Sequence, residues 1–308
     1  MATVLITGGT GMVGTSLTKE LLKRGYSVII LTRHKKQPAG GVTYAQWNVE
    51  EGTIDRTAIE QADHLIHLAG ANVAERRWTA KRKKEIVDSR VLSGQLLVKA
   101  LSETPNKIQT VVSASAIGWY GADPRIPNYN PFVEGDSADN SFLGLTCQQW
   151  EKAIRPMASL DKRLIIYRIG IVLSNDGGAF AEFKKPMRFG IASILGSGKQ
   201  VISWIHIDDL VELLLYAVEN KKMIGTYNAV APQPVSNEVL IKTIAADKGG
   251  FSIPTPVPNF VLKTMLGEMS VEVLKSATVS SRKLETLGYQ FKFPKIETAV
   301  ANLNKKAS

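Results

Sequence analysis

The first half of the chain alternates short apolar runs with longer amphipathic stretches. Residues 3–7 (Thr-Val-Leu-Ile-Thr) predict a buried strand. Val13, Leu17, Leu21 and Leu22 then recur at helical spacing, and Gly25 follows them at a C′ position. Residues 27–32, rich in Val, Ile and Leu, predict a second strand, 42–46 a weaker third and 63–68 a fourth. The stretch 80–101 predicts a long helix with Ile86, Leu97 and Leu101 inward, and residues 111–115 and 164–168 complete the strands. Continuous apolar strands alternating with helices imply a parallel sheet covered on both faces, a doubly wound α/β fold.

Beyond residue 175 the rhythm changes. Gly177-Gly178 and the stretch 190–198 read as loops, and residues 210–218 and 239–246 as helices. Gly249-Gly250 followed by Pro254, Pro256 and Pro258 marks a boundary between units 1–248 and 249–308. The second unit reads as small and mostly helical, with a turn at Leu287-Gly288-Tyr289.

Composition narrows the class. The 308 residues are 44% hydrophobic, enough for a substantial core, which excludes a wholly disordered chain. A single cysteine excludes an intramolecular disulfide framework and a cysteine-rich zinc site, and fits a reducing, cytoplasmic location. His34, His64, His67 and His206 lack ligand-like spacing, so no metal is expected. No apolar run reaches the ~18 residues of a membrane span, and the N-terminus lacks a basic n-region, so neither a membrane partner nor a signal peptide is expected. The net charge of +10 is concentrated in residues 33–36 (Arg-His-Lys-Lys) and in Arg76 to Lys84. It fits an anionic small molecule. Nucleic acid is the weaker reading, since the second run carries one aromatic, Trp78, and no nucleic-acid motif.

The main chemical signal is Thr7-Gly8-Gly9-Thr10-Gly11-Met12-Val13-Gly14, between a strand and a helix. Gly8, Gly11 and Gly14 let the backbone turn tightly and approach a pyrophosphate, and the next helix aims its free N–H groups at that anion. The alternative is a glycine-rich connection with no ligand. The second strand ends Leu31-Thr32-Arg33-His34-Lys35, with no acid for a ribose 2′-hydroxyl and a guanidinium suited to a 2′-phosphate. NADP(H) is therefore expected in preference to NAD(H). Otherwise Arg33 and Lys35 are solvated charges.

With Gly8-x-x-Gly11-x-x-Gly14, His67-Leu68-Ala69-Gly70 and Ser113-Ala-Ser115 leading to Tyr120-Gly121, the sequence resembles the extended short-chain dehydrogenase/reductase superfamily over residues 1–230. Arg77-Trp78, Asp88-Ser89-Arg90, Ser203-Trp204-Ile205-His206 and Gly288-Tyr289-x-Phe291-x-Phe293-Pro294 make it similar to one epimerase-family subgroup, NAD-dependent epimerase/dehydratase-like, with a C-terminal domain of unknown function. The resemblance implies a Rossmann-type fold with a helical C-terminal substrate region and a small-molecule substrate, anionic or sugar-like. It leaves a homodimer open. In position it implies cofactor contacts from Thr10, Met12, Val13, Leu68, Ala69 and Gly70, from Asn48 near the adenine, and from Arg168 at the end of the sixth strand.

The superfamily's acid–base pair is Tyr-x-x-x-Lys, whose ammonium lowers the tyrosine pKa. Alignment on Gly144 and Glu151 puts Leu143 and Cys147 at those positions, and neither side chain supplies the same chemistry. Ser115, Tyr120 and His206 are the catalytic candidates in their place, with Cys147 behind them. Tyr120 reads equally as a packing residue, His206 as a structural residue before a helix capped by Asp208 and Asp209, and Cys147 as a small buried residue. Arg77, Trp78 and Trp204 are the substrate candidates, and the basic run reads otherwise as a solvated helix start. Two functions follow: an NADP(H)-dependent oxidoreductase or epimerase with a nonstandard proton donor, or a non-catalytic or sensory dinucleotide-binding protein.

Overall fold

A computed structural model describes residues 1–34, 36–249 and 251–305. Lys35 and Gly250, named in the sequence readings, lie outside the described residues. Strands β1 (Thr3–Thr7), β2 (Ser27–Thr32), β3 (Val42–Asn48), β4 (Thr53–Ile54), β5 (His64–His67), β6 (Thr110–Ala116) and β7 (Arg163–Ile169) come first. Four short strands follow, β8 (Ile171–Leu173), β9 (Ile191–Leu195), β10 (Val201–Ile202) and β11 (Trp204–His206), before β12 (Gly225–Ala229) returns to the sheet and β13 (Val235–Ser236) pairs with β10. The eight-stranded sheet runs β12-β7-β6-β5-β1-β2-β3-β4, parallel except for the β3–β4 edge hairpin. The chain starts at the centre, winds to one edge through β2 and β3, then returns past β1 to the other. The switch point lies between β1 and β5, where such sheets bind ligands beyond their carboxyl ends.

The helices are α1 (Met12–Lys23), α2 (Arg56–Gln61), α3 (Ala80–Glu103), α4 (Phe142–Ile154), α5 (Gly178–Met187), α6 (Ile207–Glu219), α7 (Asn237–Lys248), α8 (Asn259–Leu266), α9 (Ser270–Leu274), α10 (Arg282–Thr286) and α11 (Ile296–Lys305). Side chains alternate across the sheet as strand geometry demands. Val4 and Ile6 pack with Leu17 of α1 and Leu214 of α6. Leu5, between them, packs on the opposite face with Leu97 of α3 and Ile154 of α4. All three strand residues are fully buried, which explains the unbroken apolar run.

Two loop readings need correction. Residues 190–198 contain β9, which pairs in parallel with β14 (Ile253–Val257), itself part of the proline-rich break. Pro254 and Pro256 are tolerated because β14 is an edge strand that needs no donor at those positions. Gly178 begins α5 rather than lying in a loop. The C-terminal region is otherwise helical. Leu284, Ile296, Val300 and Leu303 join the same hydrophobic cluster as α1 and α6, each contributing roughly 1.5–3 kcal/mol by burial. Asp209 of α6 accepts the backbone N–H of Lys292 (2.7 Å) and of Phe293 (3.0 Å), tying the tail to the sheet's helical layer.

The site end of the sheet is braced by one buried histidine. Thr7 pairs with His67 across β1 and β5. The Thr7 hydroxyl oxygen accepts the N–H of Leu68 and of Ala69, both at 3.2 Å, so its proton goes to His67 Nδ1 at 2.7 Å. Ser93 donates to the Ser89 carbonyl and receives Nε2–H at 3.3 Å. This chain uses the neutral imidazole, in agreement with burial pushing the His67 pKa down to about 4. The unfolded chain gains that proton below pH ~6.5 and the folded one does not, so stability falls with acidification from ~6.5 to ~4. The loss due to His67 should be about 2–4 kcal/mol. Urea titrations across that range should show this slope in the wild type, reduced in His67→Gln.

Candidate functional site

The turn after β1 is shaped by contacts that leave no room for side chains. A Cβ on Gly8, whose φ is +68°, would lie 2.8 Å from the Leu68 backbone, and one on Gly14 would lie 2.3 Å from the Gly8 carbonyl oxygen. A Cβ on Gly11 would meet only that same oxygen, at 3.4 Å, so this side of the turn is open. Gly11 is the N-cap of α1 and offers no side-chain acceptor. The first N–H groups of α1 therefore face an open cradle suited to phosphate oxygens. Thr10 is exposed in the turn, and of the first two residues of α1, both half-buried, Val13 packs against the core. Met12 also reaches the Gly177-Gly178 turn, where its sulfur would be 3.9 Å from a Cβ on Gly177, so that turn borders the cradle.

Other predicted cofactor residues separate into two groups. Leu68, Ala69 and Gly70 form the facing wall, held by Thr7 and by Ser89, whose oxygen accepts the Ala71 N–H at 3.0 Å. Arg33 lies just beyond β2, whose Leu31 pairs with Thr7. Its side chain is exposed, and among the described residues its guanidinium has no hydrogen-bond or ion-pair partner. Asn48 does end β3 on the same edge, but its side-chain oxygen accepts from Glu50 and Glu51 N–H (3.0 and 3.2 Å). The acceptor expected to read an adenine amine is engaged in the local turn.

Arg168 requires correction. It is almost fully buried and forms a two-point ion pair with Glu151 (Nε–Oε1 2.8 Å, Nη2–Oε2 3.2 Å). Its Nη1 donates to the Tyr120 hydroxyl at 3.0 Å and to the Glu134 carbonyl at 3.2 Å, and its plane lies 3.6 Å from the Trp119 ring centroid. Arg168 is thus a buried strut with no face left for a cofactor. The same network engages two catalytic candidates. The Ser115 hydroxyl donates to Glu151 Oε1 at 2.9 Å, and the Tyr120 hydroxyl donates to Asn228 Oδ1 at 2.7 Å. Tyr120 is fully buried and stacked on Phe132, and burial pushes its pKa up to about 12. A phenol so placed is a poor proton donor to a bound molecule.

His206 is also structural. It is the N-cap of α6, its Nδ1 accepts the Asp208 N–H at 3.0 Å, and its ring packs 4.0 Å from Phe293. The cap is therefore His206 and not the acids after it, and Asp209 serves the tail. Trp204 is fully buried and donates Nε1–H to the Gln233 carbonyl at 3.0 Å, so it presents nothing to a substrate.

The basic run also has partners within the protein. Arg77 donates to the Met265 carbonyl at 2.9 Å and to the Thr264 carbonyl, the C-terminal end of α8. Trp78 donates to the Val73 carbonyl at 2.8 Å and meets Phe142 edge-on. Lys83 pairs with Glu268, and buried Arg82 with Glu75 and Glu85. Neither Arg77 nor Trp78 is free to grip a substrate. Arg77 and Lys83 fasten the C-terminal region to the segment that opens α3, while Trp78 is held by Val73 and by Phe142 of α4.

On α4, Leu143 and Cys147 lie one turn apart and face the same residue. A Cβ on Gly118 would sit 3.2 Å from Leu143 Cβ and 3.6 Å from Cys147 Sγ. The thiol donates weakly to the Ala116 carbonyl (3.6 Å), and burial pushes its pKa up to about 12, so it is protonated. Two cations influence it, Arg90 and Lys275. Lys275 comes from the C-terminal region and is paired with Glu272 at 2.6 Å. Thr7, His67 and Glu151 stand in the sequence motifs with no role of their own, and Lys275 in none of them. Only the subgroup motif Asp88-Ser89-Arg90 drew attention to Arg90.

Residues 4–230 match the model of the NAD dependent epimerase/dehydratase family, and residues 257–303 match a domain of unknown function. An epimerase family protein of Staphylococcus haemolyticus is 35% identical over 98% of this chain and 99% of its own. The human epimerase family protein (isoform 2), crystallised with NADPH, is 30% identical with a TM-score of 0.86, covering 98% of this chain and 99% of that one. A nucleoside-diphosphate sugar epimerase from Corynebacterium glutamicum is 32% identical with a TM-score of 0.78, and matches 99% of this chain but 58% of that longer one. Among the described residues no helix is long and apolar enough to cross a membrane. By its nucleotide cradle, its sheet order and these matches, the chain belongs to the NAD-dependent epimerase/dehydratase family, in the form that carries the C-terminal domain of unknown function.

Proposed function

We propose that this chain binds NADP(H) and exchanges hydride with a small anionic or sugar-like molecule, as an oxidoreductase or epimerase. The observation that carries the cofactor choice is Arg33, an exposed guanidinium beside the glycine cradle with no acid at the end of β2. The human relative crystallised with NADPH supports the same choice. Bound NADP(H) would supply the hydride chemistry. The chain's own residues hold the pyrophosphate at the N-terminus of α1, grip the 2′-phosphate through Arg33, and form the opposite wall with Leu68, Ala69 and Gly70. Ser115 and Tyr120 support the wall behind the nicotinamide position through Glu151, Arg168 and Asn228. Acid–base work passes to other groups, because Leu143 and Cys147 occupy the α4 positions where the superfamily carries its tyrosine and lysine.

One observation favours a second reading. Neither Leu143 nor the protonated Cys147 thiol can reproduce the Tyr–Lys pair, which fits a dinucleotide-binding protein with little turnover. Incubating the NADPH-loaded protein with a panel of carbonyl compounds and nucleotide sugars separates the two. NADPH oxidation supports the first reading, and tight binding with no oxidation across the panel supports the second.

Arg33→Ala should weaken NADPH binding about 10- to 100-fold, the equivalent of one or two charge-assisted hydrogen bonds, with NADH binding altered by less than about twofold. Fluorescence titration with both nucleotides measures this, and equal losses for the two would contradict the assignment. Glu151→Gln should cost about 3–5 kcal/mol of stability by leaving Arg168 without its buried partner. Urea denaturation reads that loss.

A further inference from the structure

The proposed reduction needs a proton donor near the face of α4 where Leu143 and Cys147 stand. Ser115, Tyr120 and His206 are engaged in the interior, and the Cys147 thiol is buried. Lys275 is placed differently. It lies between α9 and α10, in the domain of unknown function, on a segment laid against the chain that follows β6. The Ser276 carbonyl accepts the Asp123 N–H at 2.8 Å, and the Ser276 hydroxyl donates to Asp123 Oδ2 at 2.7 Å. Lys275 Nζ then lies 3.2 Å from the Tyr120 carbonyl and 2.6 Å from Glu272 Oε2 on α9.

Tyr120 ends the turn Ile117–Trp119 at the carboxyl end of β6, the end where such sheets bind ligands. The middle residue of that turn, Gly118, is the one that Leu143 and Cys147 face. The ammonium charge reaches Cys147 and also Asp139, which precedes α4. An ammonium has three N–H donors. One goes to Glu272 and one to the Tyr120 carbonyl, and among the described residues the third has no partner. The side chain keeps 12% exposure, which leaves that N–H a path to solvent, whereas Ser115 and Tyr120 are sealed. Two fixed partners also hold the nitrogen in one place, as a proton donor requires.

We propose that Lys275 is the proton donor of the reaction, a catalytic residue supplied by the domain of unknown function. The role rests on the reading that NADP(H) serves a reduction in this cleft. Lys275 gives one N–H proton to the carbonyl oxygen of the substrate as hydride from NADPH adds to the carbonyl carbon. The C=O π pair becomes the new O–H bond, the carbonyl is reduced to an alcohol and NADPH is oxidised to NADP+. The neutral amine then takes a proton back from water, and Glu272 beside it favours the recharged form.

The test uses the NADPH-loaded full chain with 4-nitrobenzaldehyde and other uncharged carbonyl compounds, followed by NADPH absorbance. Lys275→Ala should lower kcat by about 100-fold or more, with the NADPH dissociation constant within about threefold. Added methylamine, a diffusible ammonium that fits the space left, should raise the Lys275→Ala rate about tenfold or more. Lys275→Arg keeps the charge but holds its proton, so it should be as slow as Lys275→Ala and unmoved by methylamine. A Lys275→Ala rate within about threefold of wild type overturns the proposal. So does a Lys275→Arg variant at full rate, because charge alone then suffices. Reductive methylation of the loaded wild type with formaldehyde, mapped by peptide mass, needs neither turnover nor a variant. Lys275 should be dimethylated along with Lys23, which is 79% exposed. A Lys275 left unmodified when Lys23 is complete is sealed from the cleft, and the proposal falls. A wild type that reduces none of the compounds refutes the reduction and the donor role together. Turnover that survives in Lys275→Ala refutes the donor role alone.

Discussion

Helix α1 can begin where it does only because position 14 has no side chain. A Cβ there would lie 2.3 Å from one backbone atom of the preceding turn and 2.5 Å from another. That contact pulls the helix start onto the glycine turn. Gly8, at positive φ and against the Leu68 backbone, pulls the same turn onto the loop after β5. The turn running into α1 and the distant loop after β5 thereby share one cleft, with the uncapped N–H groups of α1 on one side and Leu68 to Gly70 on the other. Thr7 and neutral His67 hold the second side in place. A protonated imidazole could not accept the Thr7 proton, and the hydroxyl would then have to reorganise its bonds to Leu68 and Ala69.

Charge is distributed around this cleft by the availability of partners. The glutamate on α4, Glu151, organises the interior beyond β6 and β7, since it receives Ser115, Arg168 and Arg155 at 2.8–3.2 Å. Desolvation makes such a group costly unless every oxygen is satisfied, and here the partners include the Ser115 hydroxyl, otherwise a candidate for chemistry. The basic run before and within α3 is drawn to the C-terminal region by carbonyls at the end of α8 and by Glu268. Arg33, exposed just beyond β2, and Arg90, against Gly70, are left with donors that no acid in the described residues engages.

The sheet, its winding and the nucleotide cradle were legible because their signals are local. Apolar runs of strand length with no alternation demand cover on both faces, and glycines spaced three apart between a strand and a helix leave few alternatives. The stretch 190–198 and the prolines after 250 misled for the same reason. Each half of the β9–β14 pair looks like a loop alone, and the pairing joins residues about sixty positions apart. The C-terminal region, set apart by its prolines, packs its apolar face into the cluster shared by α1 and α6.

The chain's own order of residues determined the fold class, the glycine turn after β1 and the absence of an acid after β2. The tertiary structure alone decided which polar side chains remain available. Ser115 meets Glu151 across 36 positions, Tyr120 meets Asn228 across 108, and Arg77 meets Met265 across 188. A hydroxyl or guanidinium reads the same in sequence whether it is buried in such a contact or open to a ligand. Its chemistry depends on hydration and on partners, and both are set only when distant segments pack together.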